Sequence, residues 1–194
     1  DLIIGLPGED MDSIARGFDR LVALDPHEIQ VGILKRLRGA PIIRHTREFN
    51  LRFNPCPPYS ILSTRDIDFT DIQRLSRFAR YWDMIGNSGR FKQTRPLLLG
   101  EAPFEHFLKL TDWLYATTGQ THKITLPRLF RLIYQGAREL FDIDERDMYH
   151  AMYQDYTTSG MKGEPDFDAN LCKVTSARQT GLSTRQTRHH KQRG

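Results

Sequence analysis

The positions in this chain where chemistry could sit are few and well separated. Gly5 and Gly8 bracket the Leu6-Pro7 turn that ends the apolar run Asp1-Leu-Ile-Ile, leaving bare backbone where a ligand could come close. Lys35, Arg36 and Arg38 form a run of cations able to meet a carboxylate or phosphate, with a solvated basic turn as the plain alternative. Cys56 lies in Asn54-Pro-Cys-Pro-Pro58, a proline-rich loop that could hold a thiol rigidly. Arg52 and Tyr59 belong to the same loop and are candidates to line a substrate site, against the plainer outcome of a Pro-Pro-Tyr packed on a neighbouring element. Metal chemistry finds little support. Cys56 and Cys172 are far apart and lack ligand-spaced partners, and His106, His122 and His150 show no repeat that would build a diiron or zinc helix pair. Asp142, Asp144, Glu145 and Asp147 read as a helix start complementing its dipole rather than as a calcium loop.

The elements that must hold these residues change character along the chain. Asp1 to Leu6 reads as a strand, with Asp1, Ile3 and Gly5 on one face and Leu2, Ile4 and Leu6 on the other. Apolar on both faces, it belongs in a parallel sheet covered by helices on one side and facing a lumen or second layer on the other. Met11, Ile14, Ala15, Phe18, Leu21 and Val22 then recur at helical spacing, with Asp10 or Asp12 as N-cap and Pro26 as the stop. In Glu28 to Leu34, Ile29, Val31 and Ile33 alternate with Glu28, Gln30 and Gly32, which makes a second strand. Strand, helix and strand joined by short turns predict a right-handed parallel crossover. Gln30 shares the polar-and-glycine face with Gly32 and reads equally as a ligand contact or as a buried amide satisfied by backbone.

From Asp66 onward the periodicity is helical. Ile72, Leu75, Phe78, Ala79, Trp82 and Ile85 make one stripe, stopped by Gly86-Asn-Ser-Gly89. A shorter apolar helix over 91–99 is expected to be interrupted by Pro96. Pro103 opens the next, which Gly119 closes, Thr125-Leu-Pro127 starts another, and a last one runs from about Asp144 to Tyr156. The Tyr149, Tyr153, Tyr156 stripe reads as packing. The fold class predicted is α/β followed by mainly α: a β-α-β part over 1–42, a Pro-rich connector over 43–65, a helical bundle over 66–157, and a basic tail over 158–194 expected to be disordered.

Composition narrows the class further. With 39% apolar and 10% aromatic residues the 194-residue chain can build a packed core. No apolar run approaches the roughly 20 residues of a membrane span, no charged-then-apolar leader is read, and the unaccompanied cysteines make a reducing cytoplasm the default. The net charge of +4 is not spread evenly. Residues 171–194 hold six Lys or Arg and no acid, so the remaining body carries 22 basic against 24 acidic residues. Any electrostatic attachment to nucleic acid therefore belongs to the tail, whose Thr, Ser, Gln and Arg content favours a solvated terminus. Because the sequence starts inside a strand and without an initiator Met, a piece of a longer protein is expected.

The opening run Asp1-Leu-Ile-Ile-Gly-Leu-Pro-Gly-Glu9 resembles the late strand of the radical S-adenosylmethionine (SAM) enzymes, where a DLIxGLPGE run lies beside the adenine of the cofactor. Ile3 and Gly5 match the Ile and Gly of that family's GxIxGxxE pattern, while Asp1 stands where its first Gly would be and Glu9 falls one place late. Gln30, Leu34, Gly39, Ala40, Pro41 and Ile42 are similar to the Q-x-x-x-L and x-G-[TA]-P-[IL] segments that close the barrel in members with a cobalamin-binding domain. Phe53-Asn-Pro-Cys-Pro-Pro-Tyr59-Ser-Ile-Leu, RFARYWDMIGNSGRF (77–91) and LTDWLY (110–115) resemble the C-terminal domain of one uncharacterised subgroup of those proteins, to about residue 155.

The resemblance implies that residues 1–42 are the last β-α-β part of a (βα)6 partial barrel, with Lys35, Arg36 and Arg38 at its C-terminal mouth. Ile3 and Leu6 would give adenine apolar contact, Gly5 and Gly8 would allow close backbone approach, and Gln30 would face the lumen. Lys35, Arg36, Arg52 and Tyr59 would line the substrate side. Cys56 would be a catalytic candidate, since some methyl-transferring members use a C-terminal cysteine. The cofactors implied are SAM, a 4Fe-4S cluster and, in members that retain it, cobalamin. The partners implied are a small-molecule or biopolymer substrate and a reductant of flavodoxin or ferredoxin type. This sequence contains no CxxxCxxC, so the cluster thiolates are expected about 100 to 150 residues upstream and the fragment alone is expected to be inactive. A reading from another class makes the helical part a non-catalytic interaction module whose basic tail tethers RNA or a protein.

Overall fold

Strand β1 (Leu2–Ile4) and strand β2 (Val31–Ile33) lie side by side in the computed structural model, which describes residues 1–167. They are parallel, with Leu2 opposite Val31, Ile3 opposite Gly32 and Ile4 opposite Ile33. Helix α1 (Met11–Ala23) connects them, so the expected β-α-β unit is present. The helix starts at Asp10 because its carboxylate accepts the Ser13 N–H at 2.8 Å while the Ser13 hydroxyl accepts the Asp10 N–H at 2.9 Å, a reciprocal capping box. It ends at Leu24, after which Asp25 takes a left-handed φ of 44° and Pro26 forbids continuation. Ile4, Ile14 and Phe18 are fully buried between strand and helix. The opposite face of the two strands is uncovered, with Ile3 45% exposed and Gln30 and Gly32 also exposed.

The stretch read as a Pro-rich connector holds more structure than its composition suggests. A 3-10 turn over Pro41–His45 leads into an irregular antiparallel hairpin of β3 (Arg52–Phe53) and β4 (Ile61–Ser63). That hairpin zips onto the continuation of β2: the Ile61 N–H donates to the Leu34 carbonyl at 2.8 Å, the Arg36 N–H donates to the Tyr59 carbonyl at 3.0 Å, and Lys35 bridges Ser60. Strands of two and three residues flanked by prolines carry too short a pattern for period-two alternation to show.

Among the described residues five further helices follow: α2 (Phe69–Ile85), α3 (Thr94–Leu99), α4 (Pro103–Thr118), α5 (Leu126–Leu140) and α6 (Glu145–Thr158). Asp68 and Asp144 cap α2 and α6 through side-chain acceptance of N–H groups, and Gly119 closes α4 at a left-handed φ of 63°. Pro96 does not interrupt a helix over 91–99. The helix begins at Thr94, which puts Pro96 in the first turn, where a missing N–H costs nothing. The packed chain also runs past the boundary expected at 158: Phe167, 6% exposed, meets the rings of Tyr134, Tyr149 and Tyr156. Residues 168–194, with Cys172 and the tail's cations, lie outside the described residues. No described helix is long and apolar enough to cross a membrane.

One hydrophobic core joins the β-α-β unit to the helices. Phe18 of α1 meets Phe78 and Trp82 of α2 edge-on at 4.9 and 4.8 Å between ring centroids, and Phe104 of α4 at 6.1 Å. Polar clamps pin the same joint. The Phe104 N–H at the start of α4 donates to Asp19 of α1 at 2.8 Å. The Ile29 carbonyl accepts from the Trp82 indole at 2.9 Å and the Asn87 amide at 3.0 Å, while its N–H donates to Asn87 at 3.2 Å. Within the helical part, Asp155 of α6, 3% exposed, accepts from the Thr94 N–H and hydroxyl at 2.8 Å each and from the Gln93 N–H at 3.0 Å. A buried carboxylate thus satisfies the orphan N–H groups of α3.

Candidate functional site

The turn after β1 is built from two glycines and one carboxylate. Gly5 and Gly8 adopt φ of 92° and 79°, conformations that side chains other than glycine rarely take. A Cβ on Gly5 would lie 2.7 Å from Ile61 Cγ2, so the bare backbone of this buried glycine admits β4 of the same chain. Its N–H donates to the Glu9 carboxylate at 3.2 Å, and the Leu6 N–H does so at 3.4 Å. Glu9 is half-buried. Burial pushes its carboxyl above the ordinary value and the Asp10 charge adds to this, while the two N–H donors pull the other way. The sequence marks Glu9 only as displaced from a motif; the turn's tightness brings it back onto the glycine backbone.

Beside this turn lies the uncovered face of the sheet. Ile3 projects next to Gly32, where a Cβ would meet nothing within 4 Å, and exposed Gln30 stands on the same face two residues earlier. Gln30 is therefore not a buried amide, although its carbonyl holds the Leu2 N–H at 2.8 Å. Leu6 is half-buried at the turn, and Gly8 is exposed with the Phe49 ring 3.4 Å from its missing Cβ. The structure brings Leu6 and the two glycines to the C-terminal end of β1, with Ile3 one step before it, whereas Gln30 stands at the opposite end of the strand pair, level with Asp1.

The second group of candidates is gathered by the hairpin. Pairing of Leu34–Arg36 with Tyr59–Ile61 sets exposed Lys35 and Arg36 beside Tyr59, which is 37% exposed. The Arg36 guanidinium lies 5.9 Å from the Phe53 ring centroid, and Arg52 is exposed on β3. Cys56 is an exposed free thiol; its N–H donates to the Asn54 side chain at 2.9 Å and its carbonyl accepts the Tyr59 N–H, also at 2.9 Å. Among the described residues no group of three or more His, Cys, Asp or Glu could hold a metal ion. His106 instead stacks on Phe141 at 4.9 Å, and Asp144 caps α6.

Fold and site together define a mixed α/β protein whose helical majority is built onto a parallel β-α-β unit with one open face. A family model described as a protein of unknown function (DUF4080) matches residues 47–191, and the chain belongs to that family. Neither a curated protein nor a solved structure matches it. The matched region begins just before the β3–β4 hairpin, so the open β-α-β end lies ahead of it.

Proposed function

We propose that this chain is the C-terminal part of a radical SAM enzyme, its β-α-β unit the last part of a (βα)6 partial barrel. The observation that carries the reading is the uncovered face of Gln30, Gly32 and Ile3, which runs from the N-terminal end of the strand pair toward the Gly5-Leu-Pro-Gly8 turn at the other. A strand pair covered by helices on one face and bare on the other suits a barrel wall facing a lumen. The far edge of β1 has no strand partner among the described residues, which leaves room for a preceding parallel strand.

The residues present suit the adenosine end of SAM and not the cluster. Ile3 and Leu6 offer apolar contact to adenine, Gly8 offers close backbone approach, and Gln30 offers an amide to hydrogen-bond the cofactor. Gly5 serves the same wall from behind, by letting Ile61 close against it. When bound together, SAM and a 4Fe-4S cluster reduced by a flavodoxin- or ferredoxin-type partner would supply radical hydrogen abstraction from a substrate. The three cluster thiolates would come from chain ahead of this sequence. In this reading Lys35, Arg36, Arg52 and Tyr59 would orient the substrate, Cys56 would handle a proton or hydrogen, and cobalamin, if bound, would supply methyl-transfer chemistry. The setting proposed is the cytoplasm.

Iron, acid-labile sulfide and cobalamin contents of the complete protein, purified without oxygen beside this chain alone, test the reading. About four irons per complete chain and none on this piece are expected. A complete protein that holds no iron after reconstitution sinks it, and leaves the helical part as an interaction module tethering RNA or protein.

A further inference from the structure

We propose that the cleft between β2, the β3–β4 hairpin and α2 binds a small phosphomonoester. The cleft holds about 450 Å³, within the range of about 300 to 1,000 Å³ in which small-molecule sites fall. One wall is the edge of β2. That strand bonds to β1 through the Gln30 carbonyl and the Leu34 N–H, so the alternate residues Val31 and Ile33 turn their main-chain groups to the other edge. The hairpin reaches β2 only from Leu34 onward, and the Val31–Ile33 edge borders the cleft instead.

Charge sets the class of ligand. Lys35 on the strand side and Arg80 on α2 both line the cleft, both are exposed, and neither has an acid within ion-pair distance among the described residues. The acid on this wall, Asp83, already accepts from the Asn87 amide at 3.2 Å. Lys35, Arg80 and Asp83 together give the lining a net charge of +1, a surplus that favours an anion. A phosphomonoester brings three terminal oxygens to accept charge-assisted hydrogen bonds from the two cations, against the two of a monocarboxylate. Asn54, Ser60 and Gln73 line the same cleft and supply neutral donors and acceptors for a hydroxylated body. The ligand class is therefore a phosphorylated sugar or similar polyol phosphate.

Calorimetric titration of the whole chain with ribose 5-phosphate tests this, with ribose and inorganic phosphate as parallel titrants. Saturable one-site binding at about 1 mM or tighter is expected, weakened about tenfold or more by Lys35→Met and by Arg80→Met and unchanged by Lys109→Met on the far helix α4. Ribose should give no heat. Because both cations are exposed, melting curves of the two variants should overlay the parent, which separates lost binding from lost folding. No saturable binding up to about 20 mM overturns the proposal, as does full binding by both variants. Inorganic phosphate binding as tightly as the sugar phosphate refutes the role given to Asn54, Ser60 and Gln73. The titration uses no SAM, iron or reductant, so its failure leaves the radical SAM reading standing, and failure of that reading leaves this one standing.

Discussion

The two ends of this molecule treat their apolar surface in opposite ways. In the helical part, Trp82, Tyr81, Tyr134, Phe78, Phe107 and Phe130 are all under 2% exposed, and the orphan N–H groups of α3 are met by a buried carboxylate. At the β-α-β end the strands are buried on one face only, and Ile3 stays 45% exposed on the other. The helices form a finished core; the strands have one face bound to it and one exposed. What holds the open end in place is the joint around Phe18, Asp19 and Ile29, so the exposed face is positioned by residues that lie outside it.

The joint is the place to break this comparison. Phe18→Ala removes the ring shared by Phe78, Trp82 and Phe104 and should cost about 3 to 5 kcal/mol. Urea unfolding followed by tryptophan fluorescence and by far-UV circular dichroism checks it. Coincident transitions in the parent chain confirm one cooperative core, and separate transitions would show that the two ends are independent. Asp155→Ala leaves the Gln93 and Thr94 N–H groups unpaired and should cost about 3 kcal/mol, with Asp155→Asn recovering part of it in the same assay. Its hydrogen-exchange signature should be confined to α3 and α6, since neither end of that clamp touches the sheet.

Gly5→Ala acts at the open end instead. It forces a methyl to within 2.7 Å of Ile61 at a φ of 92°, and should cost about 2 kcal/mol. Ile61→Ala removes the clashing Cγ2, so in a double-mutant cycle the Gly5→Ala cost should be smaller in the Ile61→Ala background, while strictly additive costs would place the loss in the backbone angle alone. The smallest effect is electrostatic. Burial raises the Glu9 carboxyl in the folded chain above its ordinary 4.5, so the folded state holds the proton longer than the unfolded one. Its contribution is therefore complete below pH 4.5 and is lost as pH rises through the raised folded value. Glu9→Gln should flatten that part of the stability profile in urea titrations run from pH 4 to 7; an unchanged slope would assign it to another group.

Much of this architecture was legible in advance because its signals are local. Asp10, Asp68 and Asp144 cap helices from within three residues of the N–H groups they accept, Gly119 and Pro26 end segments by their own backbone limits, and the stripe from Ile72 to Ile85 repeats every turn. The parallel pairing of β1 and β2 follows from strand, helix and strand in close succession. Of the candidate site residues, Gly5 and Gly8 do form the turn after β1, yet Gly5 proves to make room for Ile61, Gln30 stands at the other end of the strand pair, and Glu9 was visible only as a motif out of place.

By itself, the sequence determined where helices start and stop and which faces they bury, because capping, periodicity and proline stereochemistry act over a few residues. Only the tertiary structure decided that the Pro-rich stretch zips onto β2, that Asp19, Asn87 and Asp155 clamp segments 58 to 85 positions away, and that Lys35 and Arg80 line one cleft. These pairings join residues that share no local pattern. A short polar side chain reads the same in sequence whether it meets water or the end of a distant helix, and only the closing of the core around Phe18 brings the partners within hydrogen-bonding distance.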